Sequence, residues 1–210
     1  MTVDTVHINK TKNLLFKTIF LAAFITLFFS SCMTFPHKKY IYVSESLTEK
    51  GQLTSTQLAQ FFRENNDTVS YFKIKKFAAL YIKEAQMENI NSDVAFAQMC
   101  LETGYLKFGN LVTPDMNNFC GLGAMDKEHP GEKFETPALG VRAHIQHLQA
   151  YATTADIKLN NELIDPRYNW VHKTKYAETV QDLSGNWAAD KNYGNKIASI
   201  LSRMEIFVNK

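Results

Sequence analysis

Residues 93–109, DVAFAQMCLETGYLKFG, decide how the rest of the chain is read. Asn91 or Ser92 can cap a helix here, and Asp93 is favourable in its first turn. Between Asp93 and Glu102 the run carries no charge, and Gln98 is its main polar interruption. Gly104 or Gly109 is where such a helix loses its regularity. Glu102 therefore stands near the C-terminal end of an apolar helix. Its neighbours one turn away are Gln98, Met99, Tyr105 and Leu106, which form an apolar and aromatic face rather than a solvated one. Such surroundings disfavour the charged form of a carboxyl and raise its pKa. That is the condition for a general acid near neutral pH. On periodicity alone, a surface or ion-paired glutamate is the better account.

Outward from this helix the chain reads as mostly helical. Residues 54–65 suit a first helix, with Ser55 as a cap and Leu58, Phe61 and Phe62 on its apolar side. Ile74, Phe77, Ala78, Tyr81, Ile82 and Ala85 follow the i, i+3, i+4 rule, and that helix ends near Asn89. From Asn110 to Pro137 the composition changes to turn and breaker residues, among them Pro114, Asn117, Asn118, Gly121, Gly123, Pro130 and Gly131. Short strands or a hairpin are expected around residues 120–125 and 133–136. A helix resumes over 139–152 with Val141, Ile145, Leu148 and Ala152 as its stripe. Residues 165–171 read as loop, and 175–184 and 193–207 as closing helices. The fold class is α+β, predominantly helical, with a small β or loop lobe. Polar groups on such a lobe are well placed to sit over a cleft.

The 210 residues suit one domain with accessory segments, and a 45% hydrophobic content is enough to bury a core. A net charge of +2 without a clustered basic stretch argues against nucleic acid as a partner. Lys10, Lys12 and Lys17 precede the uncharged, mostly apolar run from Thr18 to Phe29, which is short for a membrane span and suits an export signal. Ser30 and Ser31 then lead into Cys32, and FSSC resembles a bacterial lipobox. The expected organisation is a lipoprotein signal over 1–31, lipidation at Cys32, a tether over 32–50 and a folded domain over 51–210. The domain is expected to act as a monomer, held at the periplasmic side of a membrane or at the cell surface. Cys100 and Cys120 are either a disulfide of an exported protein or two buried thiols. His144 and His147 lie three apart on one helix, but no further ligands accompany them. Neither a metal nor a cofactor is expected.

AFAQMCLETGYLKFG resembles the A-Q-x-x-x-E-[ST]-G motif of the glucosaminidase domain, glycoside hydrolase family 73. NNFCGLGA resembles the family's next segment, and GVRAHIQHLQAYA the helix that follows its lobe. DPRYNWV and LSGNWAADKNYGNKI resemble its C-terminal blocks. These matches occur in the family's order over roughly residues 50–208. The resemblance implies a lysozyme-like fold, peptidoglycan glycan strands as substrate, and hydrolysis of β-1,4 bonds after N-acetylglucosamine. It implies that Glu102 protonates the leaving glycosidic oxygen.

A second carboxylate is usual in glycosidases, and its distance from the acid sets the stereochemistry. Asp126, Glu128, Glu132 and Glu135 all lie in the lobe. Glu135, beside Phe134 on an expected strand, is favoured, with Glu132 next. Participation of the substrate's N-acetyl group would remove the need for either. Asn117, Asn118 and Phe119 are candidate sugar contacts, and equally turn and core residues. Tyr105, Trp187 and Tyr193 match aromatic positions of the family, and for Trp187 and Tyr193 stacking on sugar and packing in the core are both open. The rival functions are a lytic transglycosylase, which cuts by internal ring closure, and a non-catalytic wall-binding lipoprotein.

Overall fold

Helices begin in this protein where a side chain can satisfy the free N–H groups of the first turn. The computed structural model describes residues 39–210; the expected export signal and the expected lipidation at Cys32 lie outside the described residues. Thr54 forms a capping box with Gln57 at the start of α1, Ser55–Arg63. The Ser70 side chain caps α2, Tyr71–Met87. Asn91 caps α3, Ser92–Glu102, by accepting from the Asp93 and Val94 amides. Thr136 caps α4, Pro137–Ala152, whose first position is the proline that tolerates a missing N–H. Two shorter runs follow in sequence: α5, Tyr168–Thr174, and a 3-10 turn at Val180–Leu183. The described chain closes with α6, Tyr193–Asn209.

Helix α3 is the axis of the fold. Every residue from Ser92 to Cys100 is buried, as expected of a helix that is apolar on all sides. Helices α2, α4 and α6 pack around it. Phe62, Tyr81, Phe96, Ile145 and Leu201, from five different helices, belong to one buried cluster. Phe96 takes the edges of Phe62 and Tyr81, with ring centroids 6.3 and 5.7 Å away. The lysozyme-like, mainly helical class expected from sequence is the class observed.

The lobe differs in detail. The expected strands at 120–125 and 133–136 do not form; among the described residues, β-pairing is limited to the isolated bridges Ser46↔Thr179 and Ser184↔Ala188. The reason is backbone geometry. Asn117, Gly121, Gly123 and Gly131 have φ of 52°, 66°, 75° and 109°, which breaks any extended run. Single hydrogen bonds replace a ladder: Glu132 N to Leu122 O and Phe134 N to Met116 O, each 2.8 Å. Cys120, Leu122 and Phe134 form a small core of their own against Ala143 of α4. Gly140 lets the two meet, because a β-carbon there would lie 1.8 Å from the Asn117 carbonyl oxygen.

Three other segments differ from expectation. Residues 41–47, part of the expected tether, instead form an extended strap on the helical body. Asn209 and Glu205 hold the strap's Ile41 and Val43 amides, and the Asn91 amide group donates to the carbonyls of Ser44 and Ser46. Val43 and Leu47 are buried. The expected helix at 175–184 is extended up to its 3-10 turn, because its backbone groups pair with the strap and with Tyr151 (Leu47 N to Glu178 O and Ala177 N to Tyr151 O, both 2.9 Å). The expected loop at 165–171 contains the start of α5. Cys100 and Cys120 are separate buried thiols.

Candidate active site

Glu102 is the last residue of α3, and the backbone turns left-handed immediately after it. Gly104, Tyr105 and Leu106 have φ of 55°, 58° and 59°. For the two non-glycine residues this costs about 1 kcal/mol or more each. The Thr103 hydroxyl offsets part of the cost: it donates to Met99 O at 2.7 Å and accepts from the Leu106 amide at 2.8 Å. Asn66 donates to Tyr105 O at 2.8 Å. The turn carries the chain away from the carboxyl and leaves a pocket of ≈ 410 Å³ beside it, with Leu101, Glu102, Gly104, Asn118, Gly121 and Trp187 in its wall.

The two oxygens of Glu102 are treated differently. Oε1 accepts from the Trp187 indole N–H at 3.1 Å and from the Tyr193 hydroxyl. Oε2 has no hydrogen-bond partner among the described residues and lies 3.7 Å from where a β-carbon on Gly121 would be. Burial pushes the Glu102 pKa up, and the bonds from Tyr193 and Trp187 oppose that without cancelling it.

Behind Tyr193 runs a buried chain of hydrogen bonds with one direction. Gln98 Nε2 donates to the Tyr193 oxygen at 2.8 Å, and Gln98 Oε1 lies 3.0 Å from His144 Nε2. That ring nitrogen must therefore carry the proton. His144 Nδ1 is left to accept from the Tyr81 hydroxyl, 3.0 Å away. Burial holds the His144 pKa down at about 3, so the ring is neutral, as this tautomer requires. Each O–H or N–H thus points along the chain towards Glu102.

Trp187 is fixed by a different set. Its ring lies against those of His147, Tyr151 and His144, with centroids 4.9, 5.5 and 5.9 Å away. His147 Nδ1 is bonded to buried Asp165 at 2.7 Å. His144 and His147 are therefore spoken for by protein partners.

The structure brings Glu102, Trp187 and Tyr193 together, puts Asn118 in the same pocket wall, and places Tyr105, Asn117, Phe119, Glu132 and Glu135 elsewhere. Asn118 lines the pocket, but its amide is used internally, donating to Leu122 O and Glu132 O and accepting from the Leu122 amide. Asn117 ends the 3-10 turn Pro114–Met116 in a left-handed conformation and donates to Phe134 O. Phe119 is buried with its ring 4.7 Å from that of Phe77. Tyr105 packs on Phe61 and Phe62, and its hydroxyl accepts from Arg203. Neither Glu132 nor Glu135 lines the pocket; Glu102 is its sole carboxylate among the described residues. Gln98 and Thr103 are not among the residues the sequence singles out for the site, and His144, weighed there as a metal ligand, is instead a buried link of the network. Gln98 did give a signal, as a polar residue one turn before Glu102 in an apolar run.

Residues 78–206 match the glucosaminidase family, described as mannosyl-glycoprotein endo-beta-N-acetylglucosaminidase. This chain belongs to the glucosaminidase family. The matched span includes Tyr81, Gln98, Glu102, His144, Trp187 and Tyr193, so the whole network around the carboxyl lies within the glucosaminidase domain. Membership makes the protein a glycoside hydrolase. An uncharacterized protein of Borreliella burgdorferi is 39% identical to it over 155 residues, 74% of each chain.

Proposed function

We propose that the protein is a peptidoglycan hydrolase that cleaves β-1,4 bonds after N-acetylglucosamine, with Glu102 as the general acid. The observation that carries this is the asymmetry of the Glu102 carboxyl. Oε1 already accepts two hydrogen bonds, so the acidic proton belongs on Oε2, the oxygen left open in the pocket. Burial favours the protonated form, which keeps that proton available to a leaving glycosidic oxygen. Trp187 and Tyr193 hold the carboxyl and, after proton transfer, stabilise the carboxylate. The chain from Tyr81 through His144 and Gln98 polarises Tyr193 in the same sense.

With Glu102 the single carboxylate in the pocket wall among the described residues, this reading assigns the second catalytic role to the substrate. The carbonyl oxygen of the N-acetyl group attacks the anomeric carbon as the leaving oxygen takes the proton from Glu102. Water then opens the resulting ring, with Glu102 accepting a proton back. Two displacements at one carbon give net retention. Proton NMR of freshly cleaved N-acetylglucosamine oligosaccharide is therefore expected to show the β-anomer first. Glu132→Gln and Glu135→Gln are each expected to keep activity within about twofold. An initial α-anomer, or inactivity of either variant in folded form, would replace the N-acetyl group with a protein base.

The substrate lies outside the cytoplasm, and the proposal includes export by the N-terminal signal and anchoring through lipidated Cys32.

A further inference from the structure

Trp187 stands between the pocket at Glu102 and a second hollow. Cys120, Gly121, Ala124 and Trp187 are shared with this hollow, of ≈ 200 Å³. Its wall also includes Arg167, Trp170 and Lys175. Trp170 is 52% exposed. The Arg167 guanidinium lies 5.5 Å from the Trp170 ring centroid, and Lys175 Nζ lies 6.0 Å from it. Among the described residues, neither cation is within ion-pairing distance of a carboxylate. Asp165, the acid nearest Arg167 in sequence, is committed elsewhere, bonded to His147 and to the Arg167 backbone amide. Two unneutralised cations and an exposed indole thus share one hollow that adjoins the pocket at Glu102 across Cys120, Gly121, Ala124 and Trp187.

We infer that this second hollow is a subsite for a muramic acid unit adjoining the N-acetylglucosamine at the cleavage position, with Arg167 and Lys175 binding its carboxylate and Trp170 offering an apolar face to the sugar. The inference rests on the cleavage position proposed above. In an alternating strand, the N-acetylglucosamine at the cleavage position has a muramic unit on both sides, so the assignment holds whichever way the strand runs. Muramic acid differs from its neighbour by a lactyl ether. That ether ends in a carboxylate when bare, and in a peptide with free carboxylates when substituted. A neutral N-acetylglucosamine oligomer offers nothing to the two cations. The hollow would therefore discriminate wall glycan from chitin-like glycan through charge, which the catalytic pocket does not supply.

The test reads binding by calorimetry in the Glu102→Gln protein, so that turnover does not enter. Three tetrasaccharides serve as probes: an N-acetylglucosamine tetramer, an alternating strand with bare lactyl groups, and the same strand with peptide stems. The comparison is between Glu102→Gln alone and Glu102→Gln carrying Arg167→Gln and Lys175→Gln, both at exposed or half-buried positions. The ratio of affinities for anionic over neutral probes is expected to fall at least about tenfold in the triple variant, since charge-assisted bonds are worth roughly that each. The loss is expected to shrink as salt screens the parent protein's attraction. A loss confined to the bare strand identifies the lactyl carboxylate, and one confined to the stem-bearing strand identifies the peptide. An unchanged ratio, or a parent protein with no preference for either anionic probe, overturns the inference. Failure of the wild type to release reducing ends from either strand would overturn the cleavage reading instead, and is measured separately.

Discussion

Glu102→Gln is expected to lower the rate of glycan cleavage by about 10²–10⁴-fold, the usual contribution of a positioned general acid, with the fold intact. The amide keeps an oxygen for Tyr193 and Trp187 but supplies no acidic proton. The same variant carries a stability signature with a definite sign. Burial raises the Glu102 pKa in the folded protein, so the unfolded chain gives up this proton at lower pH than the folded one. Wild-type stability therefore falls as pH rises from the ordinary carboxylate range through the raised value. The substituted amide does not titrate. Relative to wild type, the variant is expected to gain thermal stability between acidic and neutral pH, and melting curves at pH 4 and pH 7 measure the gain. Lost activity together with that gain separates a catalytic role from a structural one. Full activity of the variant would remove Glu102 from the mechanism.

Gly140→Ala is expected to be among the most damaging small substitutions in the protein. The new methyl carbon would lie 1.8 Å from the Asn117 carbonyl oxygen and 3.2 Å from the Phe119 ring. The obstacle is backbone, so no rotamer change relieves it. Either α4 or the lobe must move, at a cost of about 3 kcal/mol, which in a chain of this size lowers Tm by about 6–12 °C. Because the lobe supplies Gly121 and Asn118 to the catalytic pocket, cleavage activity should fall as well. Gly104→Ala is the control. Nothing lies within 4 Å of its added carbon, so only the left-handed backbone at φ +55° is penalised, by about 1 kcal/mol. Equal melting temperatures for the two variants would show that the contact between α4 and the lobe does not constrain the fold.

The sequence made the axis of the protein readable because α3 is apolar on all sides and capped by Asn91, two signals that agree. Glu102 was visible as a carboxylate out of place on that helix. Its partners were not visible from spacing, since Trp187 and Tyr193 are 85 and 91 residues away and only the family blocks pointed to them. The lobe shows the opposite case. Its breakers were plain, but that Gly140 of α4 comes up against the Asn117 carbonyl is a tertiary contact, and local propensity carries no trace of that. The strap had a readable signal, the alternation of Ile41, Val43 and Leu47, hidden by its place inside the expected tether. The buried chain from Tyr81 to Glu102 joins α2, α4, α3 and α6. Each member is ordinary on its own helix, and the relation appears only when the four helices meet.

The cleavage reading is tested most directly by the chemistry of the ends it creates. Wall sacculi digested with the wild-type protein, reduced and analysed by mass spectrometry, should yield fragments with N-acetylglucosamine at the new reducing end. New ends of 1,6-anhydro-muramic acid, or of reducing muramic acid, would contradict it.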